Sequence, residues 1–537
     1  IAAIVPSASE NTAGAGLRVD GTGLTALPGL IDAHVHTFAN ALGTSPKFGV
    51  TTVLDMFTDP ANLSGMQAAR DSHAASDQAA LFSAGMLATA EGGHGTQFPI
   101  TVETLAGPAQ AAAWVESRLA EGSDYIKLVY MPGWEARPTI DLATASALIT
   151  AAHGQGVLAV AHIATLEGAR ELLDAGVDGF VHIFADELVD EAFLAQARAQ
   201  SVFVIPTLSV IAAAAGETPG VDLAATAPEA FLARLDPLAQ TNLRSTYGRT
   251  SAVFDLPTAL ENVRRLHDAG VAILAGSDAP NPGTAHGATL HGELALLVRA
   301  GLTPAQALAA ATSVPARVFG LASRGIVAEG ARADLVLVRG DPLADIRATR
   351  VIEDVLRNGH RLSSPIDLSP TSNTGSPLPA LLAHFDDSLD APEAMAWSST
   401  SDELMGGTST ATISHVPGTS GFLSIQATVT EDFSYPWGGA FLGYSTPEMT
   451  GDLSDVRAIR FRIRGTPGDY RLMMFALGSF GAPPTATVAV TRRWQEVEVD
   501  TAQFAGFVPT LFTGMAFVTP SNAGEYAFAL DEVRLVR

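Results

Sequence analysis

The sequence predicts an α/β protein built on a (β/α)8 TIM barrel, flanked by a small β-sandwich and followed by a C-terminal β jelly roll. Three observations carry this expectation. Between Leu27 and Leu321, eight short apolar runs alternate with longer Ala-rich amphipathic stretches. On both sides of that region the pattern changes to short β runs broken by Gly and Asp. Beyond a Pro/Ser/Thr-rich stretch, no helical period remains and Gly, Thr and aromatic residues dominate.

The apolar runs are Leu27–His36, Val50–Met56, Ala80–Met86, Tyr125–Val129, Leu158–Ile163, Gly179–Ile183, Val202–Leu208 and Val271–Ala279. They are continuous rather than alternating, the signature of parallel strands buried on both faces. Leu105–Ala120, Leu142–His153, Leu166–Ala175 and Leu188–Ala199 read as the helices between them. Eight strand–helix units in about 290 residues match a barrel. A doubly wound open sheet is the alternative, but no Gly-x-Gly-x-x-Gly follows the first run. The segment from Ile211 to Asp255 is long for a strand–helix connection and reads either as a lid over the barrel mouth or as a surface helical insertion. Residues 1–26 and 322–362 are expected to pair into the flanking sandwich, leaving 27–321 as the barrel. Residues 363–378 form a linker. Residues 379–537 are expected to form the jelly roll, with aromatics at Phe385, Trp397, Phe433, Tyr435, Trp437, Phe461 and Trp494, of which the Trp and Phe are expected mostly in the core.

Composition narrows the function. The chain has 537 residues, more than one compact domain holds, and its 47% hydrophobic content argues against disorder. A formal net charge of −25 disfavours nucleic acid as a partner. No apolar run approaches the ~20 residues of a membrane-spanning helix. The absence of cysteine excludes disulfides, thiolate metal sites and Cys nucleophiles, and fits an extracytoplasmic protein, periplasmic or secreted. The sequence opens at Ile1 without Met, so any targeting segment is expected to have been removed or left out.

The chemistry gathers at the C-terminal ends of the strands, where barrel enzymes keep their sites. His34 and His36 close the first strand, and at spacing i, i+2 their imidazoles share one face. Lys127 ends the fourth strand, His162 the fifth, His182 the sixth and Asp278 the eighth. An ammonium repels cations, so a bare Lys127 is a poor ligand. Addition of CO2 would turn it into a carbamate, an anionic two-oxygen ligand able to bridge two divalent ions. The alternative is a lysine paired with Asp278 in an empty or one-metal site.

This constellation resembles the amidohydrolase superfamily, in its binuclear branch with a carboxylated lysine. The motifs that carry the resemblance are PGLIDAHVH, YIKLV, VAHIAT, DGFVHIF, LAGSDAP and the closing ATSVPARVFG with GIVAEGARADLVLV, over about residues 1–362. Among its members the chain is most similar to imidazolonepropionase-like and Xaa-Pro dipeptidase-like proteins. The resemblance implies that His34, His36 and Asp278 hold one ion, that His162 and His182 hold the other, and that carboxylated Lys127 bridges them, with Zn2+ as the expected metal. It implies hydrolysis of an amide or ester carbonyl by a metal-bridging hydroxide, with Asp278 moving the proton. Tyr130, His286 and His94 are candidates to stabilise the oxyanion or to bind substrate. The stretches Tyr130–Trp134 and Ile205–Val210 offer apolar walls, which adds Trp134 and Thr207 to the substrate-binding candidates. Apart from Lys127, only Arg137 supplies a cation near the strand ends, so an apolar small molecule is expected as substrate: an N-acyl amino acid, a dipeptide or an aryl amide.

Residues 379–537 resemble the CIA30 domain, on HFDD (His384–Asp387), Trp397–Ser409, Tyr435–Tyr444 and Arg492–Asp500. That implies a galactose-binding-like jelly roll used as an accessory module, packing on the barrel or supporting a homo-oligomer. Three other readings compete. The first is a mononuclear deaminase or cyclic-amide hydrolase of the same superfamily; the deaminase branch pairs its strand-five His with a Glu a few residues on, where Glu167 is poorly positioned. A carbohydrate-active enzyme would need a second acid beside Asp278, and Asp55 alone is available. A catalytically inactive scaffold would have a broken ligand set, whereas all six positions are filled.

Overall fold

The computed structural model describes all residues except 6–18, 39, 99, 134–136, 248–252, 363–375, 390, 393, 403–407, 431–435, 445–449, 477–482 and 505–506. Two compact units divide the chain, Ile1–Leu368 and Ser369–Arg537.

Among its described residues the first unit contains eight parallel strands: β1 Leu30–Val35, β2 Val50–Asp55, β3 Ala80–Ser83, β4 Ile126–Val129, β5 Ala159–His162, β6 Gly179–Val181, β7 Phe203–Ile205 and β8 Ala272–Ile273. They form a three-stranded sheet, β1 to β3, and a five-stranded sheet, β4 to β8. Bridges between Val35 and Ala279 and between Ala88 and Leu128 join the two sheets at both edges. The first seam is reinforced where Asp278 N–H donates to His34 O (2.7 Å), and the second where Ala88 N–H donates to Lys127 O (2.8 Å). This is a TIM-like α/β architecture. The strands are buried on both faces, which is why the sequence shows continuous apolar runs there.

Gly276 lets the segment after β8 pass close to β1. A Cβ there would lie 2.6 Å from Ile205 and 2.7 Å from His34. Helices begin at side-chain caps, Asp141 for Leu142–Gly154, Thr165 for Leu166–Asp174 and Asp190 for Glu191–Ala199. The helix expected from Leu105 starts later, at Ala111, because Gly107 and Pro108 open it with a 3-10 turn.

Around the termini of this unit, Leu24–Pro28, Leu335–Arg339, Ile352–Arg357 and His360–Arg361 form a four-stranded antiparallel sheet. Among the described residues the flank is this one sheet rather than two stacked layers. Its apolar residues Val336, Val338, Ile352 and Val355 join the same core as the parallel strands and their helices, so the α/β body supplies the covering layer.

The segment after β7 folds into helices Leu208–Ala214, Pro219–Thr226, Glu229–Leu232 and Pro237–Leu243. It is stapled to the loop after β8. Asn242 Nδ2 donates to the carbonyls of Pro280, Asn281 and Thr284, at 2.9–3.0 Å.

Among the described residues the second unit holds a seven-stranded and a six-stranded sheet, almost wholly antiparallel. Burial alternates along Ala458–Gly465 and Phe422–Val429, so one face of each strand is inward. Residues of both sheets share one core that includes Phe385, Trp397, Phe461 and Phe517. Trp494 instead lies outside that core, beneath the guanidinium groups of Arg462 and Arg464. No helix among the described residues is long and apolar enough to cross a membrane.

Candidate metal centre

Alternation along β1 places Asp32, His34 and His36 on one side, aimed toward the C-terminal end of the strands. His34 Nε2 lies 3.1 Å and His36 Nε2 3.0 Å from the same atom, Asp278 Oδ1. Although this close, His34 Nε2 and Asp278 Oδ1 are buried with no hydrogen-bond partner. His36 Nδ1 faces Phe57 O at 3.3 Å, which leaves Nε2 as its free lone pair. Three lone-pair donors that converge without bonding one another leave polar groups unsatisfied, which is unfavourable unless a cation sits between them. His34, His36 and Asp278 are also the one group of three or more acidic or imidazole ligands found close enough together to hold an ion among the described residues.

A second pair lies beside them. His182 Nε2 is 3.0 Å from His162 Nδ1, and the His34 and His182 rings are 5.0 Å apart. On its other side His182 Nδ1 meets Thr207 Oγ1 at 2.7 Å. The Thr207 hydroxyl itself donates to Pro206 O, so it accepts from Nδ1–H and leaves Nε2 unprotonated.

Lys127 reaches the centre from β4. It is 2% exposed and forms no ion pair or side-chain hydrogen bond among the described residues. Burial pushes its amine down from 10.5 to about 7, against the opposing pull of Asp278 and Asp55. Burial also lowers the histidines, His34 to about 4, His94 and His286 to about 3, and His162 and His182 well below their ordinary value. They are therefore neutral, the form that ligates metal. Burial pushes the Asp278 carboxyl up, but His34, His36 and His182 together hold it well below the usual carboxylate range.

All six residues proposed as ligands from the sequence thus meet in one place. The remaining candidates divide. His94 joins the cluster, its ring 4.8 Å from that of His162. His286 is 9% exposed, has both ring nitrogens without a partner, and feels the charge of His36. Tyr130 is turned elsewhere, because its hydroxyl donates to Glu171 at 2.5 Å and is not directed at the histidines. Thr207 is fully buried and holds His182, so its hydroxyl supports that imidazole instead of lining an open substrate surface. Trp134 lies outside the described residues. Asp55 is occupied by Thr37 and Ser83. Glu167 sits in the first turn of the helix after β5.

Sequence reading missed the supports. Asp32 accepts from Ser277 Oγ (2.6 Å) and N–H (2.9 Å), tying β1 to the turn that carries Asp278. The period of two along β1 was the signal for Asp32. Nothing local signals Glu293, which holds the Leu208 and Ser209 amides from far along the chain.

Residues 25–362 match the model of the amidohydrolase family. The chain belongs to that family. Residues 384–514 of this amidohydrolase match the model of complex I intermediate-associated protein 30, CIA30. Imidazolonepropionase of Deinococcus deserti is 40% identical over 103 residues, 18% of this chain and 26% of that protein, so the match spans about a quarter of its length. An uncharacterised protein of Mycobacterium tuberculosis is 27% identical over 352 residues, 62% of this chain and 84% of that one. The solved structure of a proposed prolidase of Bifidobacterium longum aligns with a TM-score of 0.54 at 26% identity, over 68% of this chain and 87% of that chain.

Proposed function

We propose that this amidohydrolase is a binuclear metal-dependent hydrolase of amide or ester carbonyls, acting on N-acyl amino acids, dipeptides or aryl amides. The observation that carries the reading is the convergence of His34 Nε2 and His36 Nε2 on one unpartnered oxygen of Asp278. His34, His36 and Asp278 would hold one ion, and His162 and His182 the other. Lys127 would bridge them after its neutral amine adds CO2 and releases a proton. Burial supports that step by making the neutral amine accessible near pH 7. The two ions, Zn2+ in this reading, supply when bound a water acidic enough to attack and a Lewis acid for the scissile carbonyl.

The chain's own groups do the rest. Asp278 takes a proton at its carboxylate and delivers it to the leaving amine or alkoxide. His286, with two unpartnered ring nitrogens beside His36, donates to the oxyanion, and His94 does so from the side of His162. Phe38, Phe57 and Phe98 pack against one another, with Phe38 stacked on His36 and Phe57 edge-on to it, giving an apolar wall for an acyl or aryl group and keeping bulk water away. Arg137, half-buried on the loop after β4 and donating to Gly92 O at 3.5 Å, receives a substrate carboxylate. In the same reading the eight strands act as one closed (β/α)8 barrel with the two inter-sheet bridges as seams. Residues 379–537 serve as a jelly-roll accessory module.

Chelated full-length protein reloaded with Zn2+ should bind about two equivalents and then hydrolyse N-acyl amino acids or dipeptides. Lys127→Ala should abolish turnover, with partial return on adding formate or acetate as a surrogate bridge. Turnover by metal-free protein, or wild-type rates in Lys127→Ala, would sink the reading.

A further inference from the structure

Thr207 occupies the N-cap position of helix Leu208–Ala214, yet it makes no capping bond. A threonine there ordinarily turns its hydroxyl onto an amide of the first turn. Here the hydroxyl is committed to His182 Nδ1 and Pro206 O. Its backbone is left-handed, φ 48° and ψ 48°, a conformation strained for any β-branched residue and kept only where the surroundings enforce it.

Glu293 provides that enforcement. It lies on helix Ala288–Arg299 and is fully buried. Oε1 accepts from Leu208 N–H (2.8 Å), and Oε2 accepts from Ser209 N–H and Ser209 Oγ–H (2.9 Å each). No lysine or arginine among the described residues pairs with it. A buried carboxylate is costly without full hydrogen bonding, and here its partners are the two amides that Thr207 leaves uncapped, together with a hydroxyl.

We infer that Glu293 is a positioning residue for His182, acting through the peptide of Thr207. By fixing the two peptides after Thr207, it holds the Thr207 hydroxyl where only the Nδ1–H tautomer of His182 fits, so that Nε2, facing His162 Nδ1, keeps its lone pair for a cation. Its bearing on metal rests on the reading of His182 as a ligand of the second ion.

The test compares wild-type, Glu293→Gln and Thr207→Val full-length protein. Glutamine sets an NH2 against donors, and valine keeps the shape and left-handed penalty of threonine while removing the hydroxyl. With 15N-labelled histidine and chelated protein, wild-type His182 should appear as the Nδ1–H tautomer, and both variants should lose that single form. Zinc titration should show the second equivalent weakened about 10- to 100-fold and the first unchanged. If Glu293→Gln does not fold, Ser209→Ala takes its place, since it removes one of the three donors. An unaltered His182 tautomer and an unaltered second equivalent in these variants would overturn the inference. If wild type binds only one equivalent, the two-ion reading fails, and the tautomer comparison still decides the role of Glu293.

Discussion

At His182, Thr207 and Asp278 the backbone turns left-handed, with φ of 74°, 48° and 53° at the ends of three neighbouring strands. Such a residue carries ~1–2 kcal/mol of strain unless it is glycine. Strain at Asp278 adds to a buried carboxylate oxygen with no hydrogen-bond partner, so the metal-free protein holds a locally unfavourable arrangement. Asp278→Asn tests this. Asparagine tolerates the left-handed region, has no charge to bury, and can donate its amide hydrogens to His34 and His36. In the presence of chelator the variant should melt higher than wild type, by about 1 kcal/mol at the midpoint. On adding Zn2+, wild type should gain more stability than the variant, which has lost a ligand of one of the two ions, because a ligand that binds the native state raises it. A lower melting temperature for chelated Asp278→Asn would mean the carboxylate stabilises the fold even without an ion.

Loops and helices around the strands set the shape of the mouth, and Asn242 links two of them. One side-chain amide serves three carbonyls of the loop that leads from Asp278 to His286. Asn242→Ala would strip Pro280 O and Thr284 O of this donor in a buried place, at about 1–3 kcal/mol, while Asn281 O keeps its bonds from Thr284. It should raise KM and expose the 279–286 loop to limited proteolysis, while zinc content stays at the wild-type level. Unchanged kinetics and cleavage would reduce Asn242 to a simple fold contact. This link also shows where sequence reading stops. His34 and His36, spaced by two on an apolar run, announce a shared face, and Lys127, His162, His182 and Asp278 each end such a run. The partners of Asn242, Asp32 and Glu293 lie 38 to 245 residues away, and no periodicity carries that information. The same blindness let Thr207 and Tyr130 read as substrate contacts, because their residue types suit that role while His182 and Glu171 engage them in space.

Across the whole molecule, buried neutral imidazoles belong to the first unit. The second contains only His384 and His415. His291 is the cleanest case because it lies apart from the ligands. Its ring bridges Phe48 O and Thr349 Oγ1, both at 2.9 Å, and so ties helix Ala288–Arg299 to the segments flanking β2 and the terminal sheet. Burial, helped by the charges of Arg350 and Arg234, lowers it from 6.5 to about 3. Between those values the unfolded chain binds a proton that the folded chain refuses, so stability falls as the solution is acidified. The contribution is fully present above pH 6.5, declines below it and is gone near pH 3, an effect on the order of a few kcal/mol for this one ring. His286, lowered to about 3 in the same direction, adds to it. Calorimetry from pH 7.5 to 5 should therefore show the transition of the first unit moving down. His291→Gln, which keeps a donor toward Phe48 O but cannot titrate, should melt lower at pH 7.5 yet lose less on acidification. An acid shift of equal size in His291→Gln and wild type would locate the titrating groups elsewhere.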